Sequence, residues 1–116
     1  MELDSKQLFV KAEFLSYQVE WANDWQYIGL ETGFEERFAR ILGTIFGSEN
    51  VILIRGRHDS AVFSQRDIRN LLFQGLGDSD FKIWSLDFAL VLAFSRIGVY
   101  RRGLAGQGSG DRNIVP

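Results

Sequence analysis

The clearest pattern in the chain lies between residues 33 and 46. Its apolar positions, Phe34, Phe38, Ile41, Leu42, Ile45 and Phe46, fall at i, i+4, i+7, i+8, i+11 and i+12. That spacing is one stripe of a 3.6-residue helix. Thr32 offers an N-cap and Glu35 completes a Thr-x-x-Glu capping box. Gly47 is placed to end the helix. A second helix is predicted over 65–74. Ser64 is its N-cap, Ile68, Leu71 and Leu72 supply the stripe, and Gly75 stops it with Leu76 folding back behind.

Other segments read as strands. Val51-Ile52-Leu53-Ile54 is a β-branched run suited to a buried strand. Phe81-Lys82-Ile83-Trp84, the run 88–94 and Val99-Tyr100-Arg101 follow one another with turn residues between them, as in an antiparallel meander. The first thirty residues carry two patterns. Leu8, Ala12, Leu15 and Val19 form a helical stripe behind an Asp4-x-x-Gln7 capping box, whereas Leu8, Val10, Ala12 and Phe14 alternate. The capping box favours a helix over 5–20, with Asn23-Asp24 as a break and 25–30 as a strand or extended loop. This order predicts an α+β fold: a small, mainly antiparallel sheet of three to five strands, with two or three helices packed on one face.

With 116 residues, 46% hydrophobic and 24% charged, the chain has the make-up of one ordinary globular domain. Residues 1–103 are expected to form it, and the Gly-rich stretch 104–116 to be a flexible tail. Cysteine is absent, which excludes disulfides, Cys-ligated metals and a thiol nucleophile. The acidic start Met1-Glu2-Leu3-Asp4 is unlike a signal peptide. The longest apolar run, 88–94, is seven residues, far short of the roughly 20 that span a bilayer. A cytoplasmic protein without membrane contact is expected.

Net charge is −2, so no global basic field recruits nucleic acid. The halves differ: residues 1–50 hold nine acids against four bases, net −5, and residues 51–116 hold six against nine, net +3. Such a dipolar chain can present an acidic face to a basic partner.

Candidate chemistry is sparse. His58, the single histidine, lies in Arg55-Gly56-Arg57-His58-Asp59-Ser60, between the best strand and a predicted helix. Arg55 and Arg57 could hold a phosphate or carboxylate and His58 could act as a base, but the loop has no Gly-rich cradle and no lysine. One His cannot build a His-rich zinc site, and Asp78-x-Asp80 lacks the length and the glutamate of a calcium loop. No nucleophile elbow, Walker loop or dinucleotide fingerprint is present. Arg101-Arg102-Gly103 is too little basic sequence for RNA binding. No catalytic residue, metal or cofactor is therefore expected, and the protein is read as a non-enzyme.

Aromatics are the unusual feature: ten Phe, three Trp and three Tyr. Most Phe fall in core phases. Trp21, Trp25 and Tyr27 instead cluster around Asn23-Asp24, flanked by Glu20 and Glu31, in a segment without clean periodicity. Rings beside acids suit a protein-binding surface, since they supply area and a polar handle at low entropy cost. The plainer alternative is that Trp21 and Trp25 cap the core.

The segments Phe81-Lys82-Ile83-Trp84-Ser85-Leu86-Asp87-Phe88 and Ile97-Gly98-Val99-Tyr100-Arg101-Arg102-Gly103, under a quarter of the chain, resemble small immunity proteins of bacterial contact-dependent inhibition and polymorphic toxin systems. The resemblance implies a monomer or weak dimer that binds a cognate toxin domain, commonly a nuclease, and occludes its active site. The surface it would use comprises Trp21, Asp24, Trp25, Tyr27 and Glu31, with Glu35 and Glu36 at its edge. Three other functions fit the same composition: a secretion chaperone or adaptor, a small ligand-binding or enzymatic domain built on the Arg55, Arg57 and His58 loop, and a regulatory domain with no toxin connection.

Overall fold

The computed structural model describes residues 3–105. Helix α1, Ser5–Ser16, starts at a reciprocal capping box: Gln7 N–H donates to Asp4 Oδ1 and Asp4 N–H donates to Gln7 Oε1, both at 2.9 Å. It stops four residues before the predicted end at 20, because Val19–Trp21 leaves the helix to pair as a strand. Helix α2, Phe34–Phe46, buries Phe34, Phe38, Leu42 and Phe46, four of the six positions of the predicted stripe, and leaves Ile41 and Ile45 half-buried against the same core. Its N-cap is Gly33 and not Thr32: the chain enters the helix at φ 93°, a left-handed turn that glycine makes without a Cβ penalty. The guanidinium of Arg37 secures that entry by donating to the carbonyls of Ile28, Glu31 and Thr32. Helix α3, Gln65–Phe73, is capped by Ser64 as expected, with its Oγ accepting from Asp67 N–H at 3.1 Å.

The strands are β1 (Val19–Trp21), β2 (Gln26–Tyr27), β3 (Val51–Ile54), β4 (Ala61–Phe63), β5 (Phe81–Ser85), β6 (Leu90–Ser95) and β7 (Val99–Ala105). Among the described residues they form one antiparallel sheet in the order β1-β7-β6-β5-β3-β4, with β2 also beside β7. The α+β class and the β5-β6-β7 meander stand. The sheet has seven strands instead of three to five, because three short strands extend both of its edges. One of them, β4, follows the 55–60 loop, so His58 sits in a β3–β4 hairpin and does not precede a helix. The last strand also runs past the predicted domain boundary at 103: Leu104 and Ala105 pair with Glu20 and Val19. The remaining tail lies outside the described residues.

The helices occupy both faces of the sheet, not one. Side chains alternate along each strand. Val51, Leu53, Ile83 and Leu92 point to the side of α2 and α3, where Phe34, Phe38, Phe81 and Phe94 form an aromatic cluster with ring centroids 4.8 to 5.9 Å apart. Ile52, Trp84 and Val91 point to the other side, where they pack with Leu8 and Ala12 of α1 and with Phe88. Among the described residues, no helix is long and apolar enough to cross a membrane.

Helix α1 is short and covers only part of its face. Beneath it lies the cross-strand row Ile52, Trp84, Val91, Gly103 and Trp21. The next row, Ile54, Lys82, Ala93 and Arg101, borders an open groove.

Candidate functional site

The β1/β2 edge is where the sheet departs from regularity. Trp21 pairs with Gly103 and Gln26 pairs with Tyr100, so the four residues 22–25 stand opposite only two, Arg101 and Arg102. This is a large bulge, and bulges redirect side chains and blunt an exposed strand edge. Two hydrogen bonds hold it in shape. Ala22 N–H donates to the Arg102 carbonyl at 2.8 Å, and Arg101 Nε donates to the Ala22 carbonyl at 2.7 Å.

The bulge brings Trp21 and Trp25 around one cation. The Arg101 guanidinium lies 5.6 Å from the Trp21 ring and 5.7 Å from the Trp25 ring, within cation–π range of both. The two indoles have different surroundings. Trp21 is half-buried and packs against the α1 side of the core, the plainer of the two roles considered for it. Trp25 is 46% exposed and Tyr27 is 73% exposed, so neither serves as a sealed core residue. Asp24 is exposed beside them.

The acids named from the sequence do not all join this cluster. Glu31 is exposed and stands 4.0 Å from Arg37 of α2. Glu36 forms an ion pair with Arg69 of α3. Glu35 is half-buried in the first turn of α2, where its charge suits the helix dipole. Tyr27 lines a different groove, of about 420 Å³, together with Arg37, Arg40, Tyr100 and Arg102. The aromatic edge is thus interleaved with arginines. Arg101 and Arg102 come from the far end of the chain, and no local pattern near Trp21 announces them.

A groove of about 440 Å³ opens between α1 and the uncovered half of the sheet. Phe9, Trp21 and Trp25 wall it, Ile54 and Ala93 line it, and Arg55, Lys82 and Arg101 bring positive charge. Glu13 and Asp80 line it as well. Asp80 Oδ1 accepts from the backbone N–H of Arg96 at 2.8 Å.

The His58 loop has a structural role that the sequence did not indicate. Arg55, Arg57, His58 and Asp59 are exposed, while Ser60 is 3% exposed. Ser60 Oγ donates to the Gly56 carbonyl at 2.7 Å, and Ser60 N–H donates to Ser5 Oγ at 2.8 Å. Ser5 Oγ in turn donates to the Arg57 carbonyl at 2.7 Å, tying the hairpin to the first turn of α1. Among the described residues, no cluster of three His, Asp or Glu side chains is placed to hold a metal ion. No protein-family model, curated protein or solved structure matches the chain.

Proposed function

We propose that this is a binding protein that neutralises a partner by covering it, and that the partner is a toxin domain whose active site it occludes. The observation that carries this reading is the bulged β1/β2 edge, which holds Trp25 at 46% and Tyr27 at 73% exposure on a hydrogen-bonded frame. Rigid aromatic anchors on an edge supply most of the energy of many interfaces, and ordering them in advance lowers the cost of association. Arg101 backs Trp25 and joins it to Trp21, while Tyr27 stands beside the neighbouring groove. Asp24, exposed beside Trp25, and Glu35 in the first turn of α2 supply negative charge toward a basic partner such as a nuclease, while Glu31 and Glu36 are shared with Arg37 and Arg69. The resemblance of 81–88 and 97–103 to immunity proteins supports a cognate toxin over a chaperone's client. In this reading the protein acts in the cytoplasm as a monomer or weak dimer and performs no reaction of its own.

The test is co-expression with the product of the adjacent gene. A 1:1 complex, restored growth of the host and loss of both in the Trp25→Ala/Tyr27→Ala variant are the expected results. If the neighbour's product neither binds nor harms the cell, or if the double variant protects as well as the wild type, the reading is wrong.

A further inference from the structure

The groove beside α1 has a chemistry that partner covering does not use. Its floor is the cross-strand row Lys82, Ala93 and Arg101 on three adjacent strands. Strands lie about 4.8 Å apart, so the backbones carrying Lys82 and Arg101 are separated by roughly 10 Å with only a methyl group between them. A small residue flanked by two cations makes a depression with positive ends. An oxyanion resting on Ala93 can take an N–H from the Lys82 ammonium on one side and from the Arg101 guanidinium on the other.

Both cations are available for this. Lys82 is half-buried in a central strand, and the ion pairs found among the described residues, Glu31 with Arg37 and Glu36 with Arg69, include neither it nor Arg101; of the two carboxylates that line the groove, Glu13 and Asp80, the second is engaged by the backbone N–H of Arg96. Arg101 uses Nε on the Ala22 carbonyl and lies within cation–π range of two indoles, which holds the guanidinium in place and leaves its terminal nitrogens for a ligand. Trp25 borders the same groove while almost half exposed, so a flat ring attached to the oxyanion finds a stacking surface there. The volume of about 440 Å³ falls within the range of small-molecule sites.

We propose that this groove is a binding site for a small aryl oxyanion, a phosphate or carboxylate carried on an aromatic ring. The oxyanion lies on Ala93 between Lys82 and Arg101, and the ring lies against Trp25. The site shares Trp25 and Arg101 with the partner surface, but Lys82 and Ala93 belong to the sheet face and take no part in that surface, so substitutions at these two test the site separately. Partner binding can fail while the site binds its ligand, and the reverse.

The chain itself provides the probe. Its three indole N–H groups, at Trp21, Trp25 and Trp84, can be followed by NMR, with Trp25→Phe assigning the first two. Trp84 is fully buried and is the internal reference. On titration with phenyl phosphate or phenylacetate, the Trp21 and Trp25 signals should shift and saturate, with a half-point below about 1 mM for at least one of them, while Trp84 stays still. Which of the two saturates first tells phosphate from carboxylate. Lys82→Gln should weaken binding by about tenfold or more. Ala93→Leu, which fills the depression and leaves every charge in place, should abolish it, and an unmoved Trp84 signal reports that the variant is folded. The inference is overturned if neither anion saturates the two signals, if phenol or inorganic phosphate binds as tightly as the aryl anions, or if both variants bind like the wild type.

Discussion

Trp21 lies directly opposite Gly103 across the β1–β7 pair, with its indole over the place where a side chain would stand. A Cβ on Gly103 would come 2.9 Å from Trp21 Cε3 and 3.1 Å from Val91 Cγ1, and would collide with Val19 Cγ1. The ring covers a strand glycine, an arrangement that offsets the weak β-propensity of glycine. Gly103→Ala must therefore displace the Val19 side chain and the Trp21 ring. The expected cost is about 1–3 kcal/mol, typical of overpacking a fixed site. Urea unfolding would read it as a lower midpoint with the same slope, and the Trp21 indole signal should move as well.

Arg101 is the second member of this arrangement whose loss should be measurable. Arg101→Met keeps the aliphatic stem and removes both the charge between the indoles and the hydrogen bond to Ala22. Each partly exposed cation–π contact contributes about 0.5–1 kcal/mol and the hydrogen bond about 1 kcal/mol. A destabilisation of about 1–2 kcal/mol is expected, since the three terms share one side chain and do not add fully. Arg101→Lys should recover part of it, because an ammonium still binds the rings but has no Nε–H to reach Ala22. If Arg101→Met unfolds at the wild-type midpoint, the clasp contributes nothing to stability.

These contacts explain which parts of the molecule were legible beforehand. Helices α2 and α3 and strands β3, β5 and β6 announce themselves because each follows its own period over enough residues, with Ser64 or a glycine marking the ends. Strand β4 is three residues after a polar loop and has no period to read. Helix α1 carries apolar side chains on two faces: Leu8 and Ala12 turn inward, while Val10 and Phe14 stay exposed, which is why its pattern also reads as alternation. Gly103, Leu104 and Ala105 resemble the start of a tail because a small-residue strand is stabilised by what lies across from it. The proximity of Trp21 and Trp25 could be guessed from the sequence. Their arginine could not, since its hydrogen bond to Ala22 spans 79 positions.

The His58 loop gives a sharp contrast between neighbours. Ser60 is buried and its hydroxyl is shared between the Gly56 carbonyl and the Arg55 N–H. Ser60→Ala removes both of these bonds and leaves the half-buried Gly56 carbonyl with only the 3.3 Å bond from Asp59 N–H, and should cost about 1–3 kcal/mol. His58→Ala, two positions away and exposed, should stay within about 0.5 kcal/mol of wild type. Thermal melts of the two variants side by side would check this. An equal effect of both substitutions would mean that the loop is not pinned through Ser60 and Ser5.

The β5–β6 turn links stability to pH through Asp87. Its Oδ1 accepts from the Ser85 hydroxyl at 2.7 Å and from Ala89 N–H at 3.0 Å, and these bonds hold its pKa below the ordinary value of 3.8. The turn also carries Phe88, a buried residue at φ 59°, a left-handed conformation that the surrounding bonds must hold in place. A carboxylate whose folded pKa is depressed binds fewer protons in the native state than in the unfolded one. Its stabilisation is fully present above the unfolded value and is lost as pH falls through the folded value. Asp87→Asn can keep both hydrogen bonds but does not titrate, so it removes only the pH-linked part. Urea unfolding of wild type and Asp87→Asn from pH 7 down to about pH 2 should therefore show the wild type ahead above about pH 4, with the gap closing in more acid solution. A constant gap across that range would mean that Asp87 titrates alike in the folded and unfolded chains, and that the turn is held without its charge.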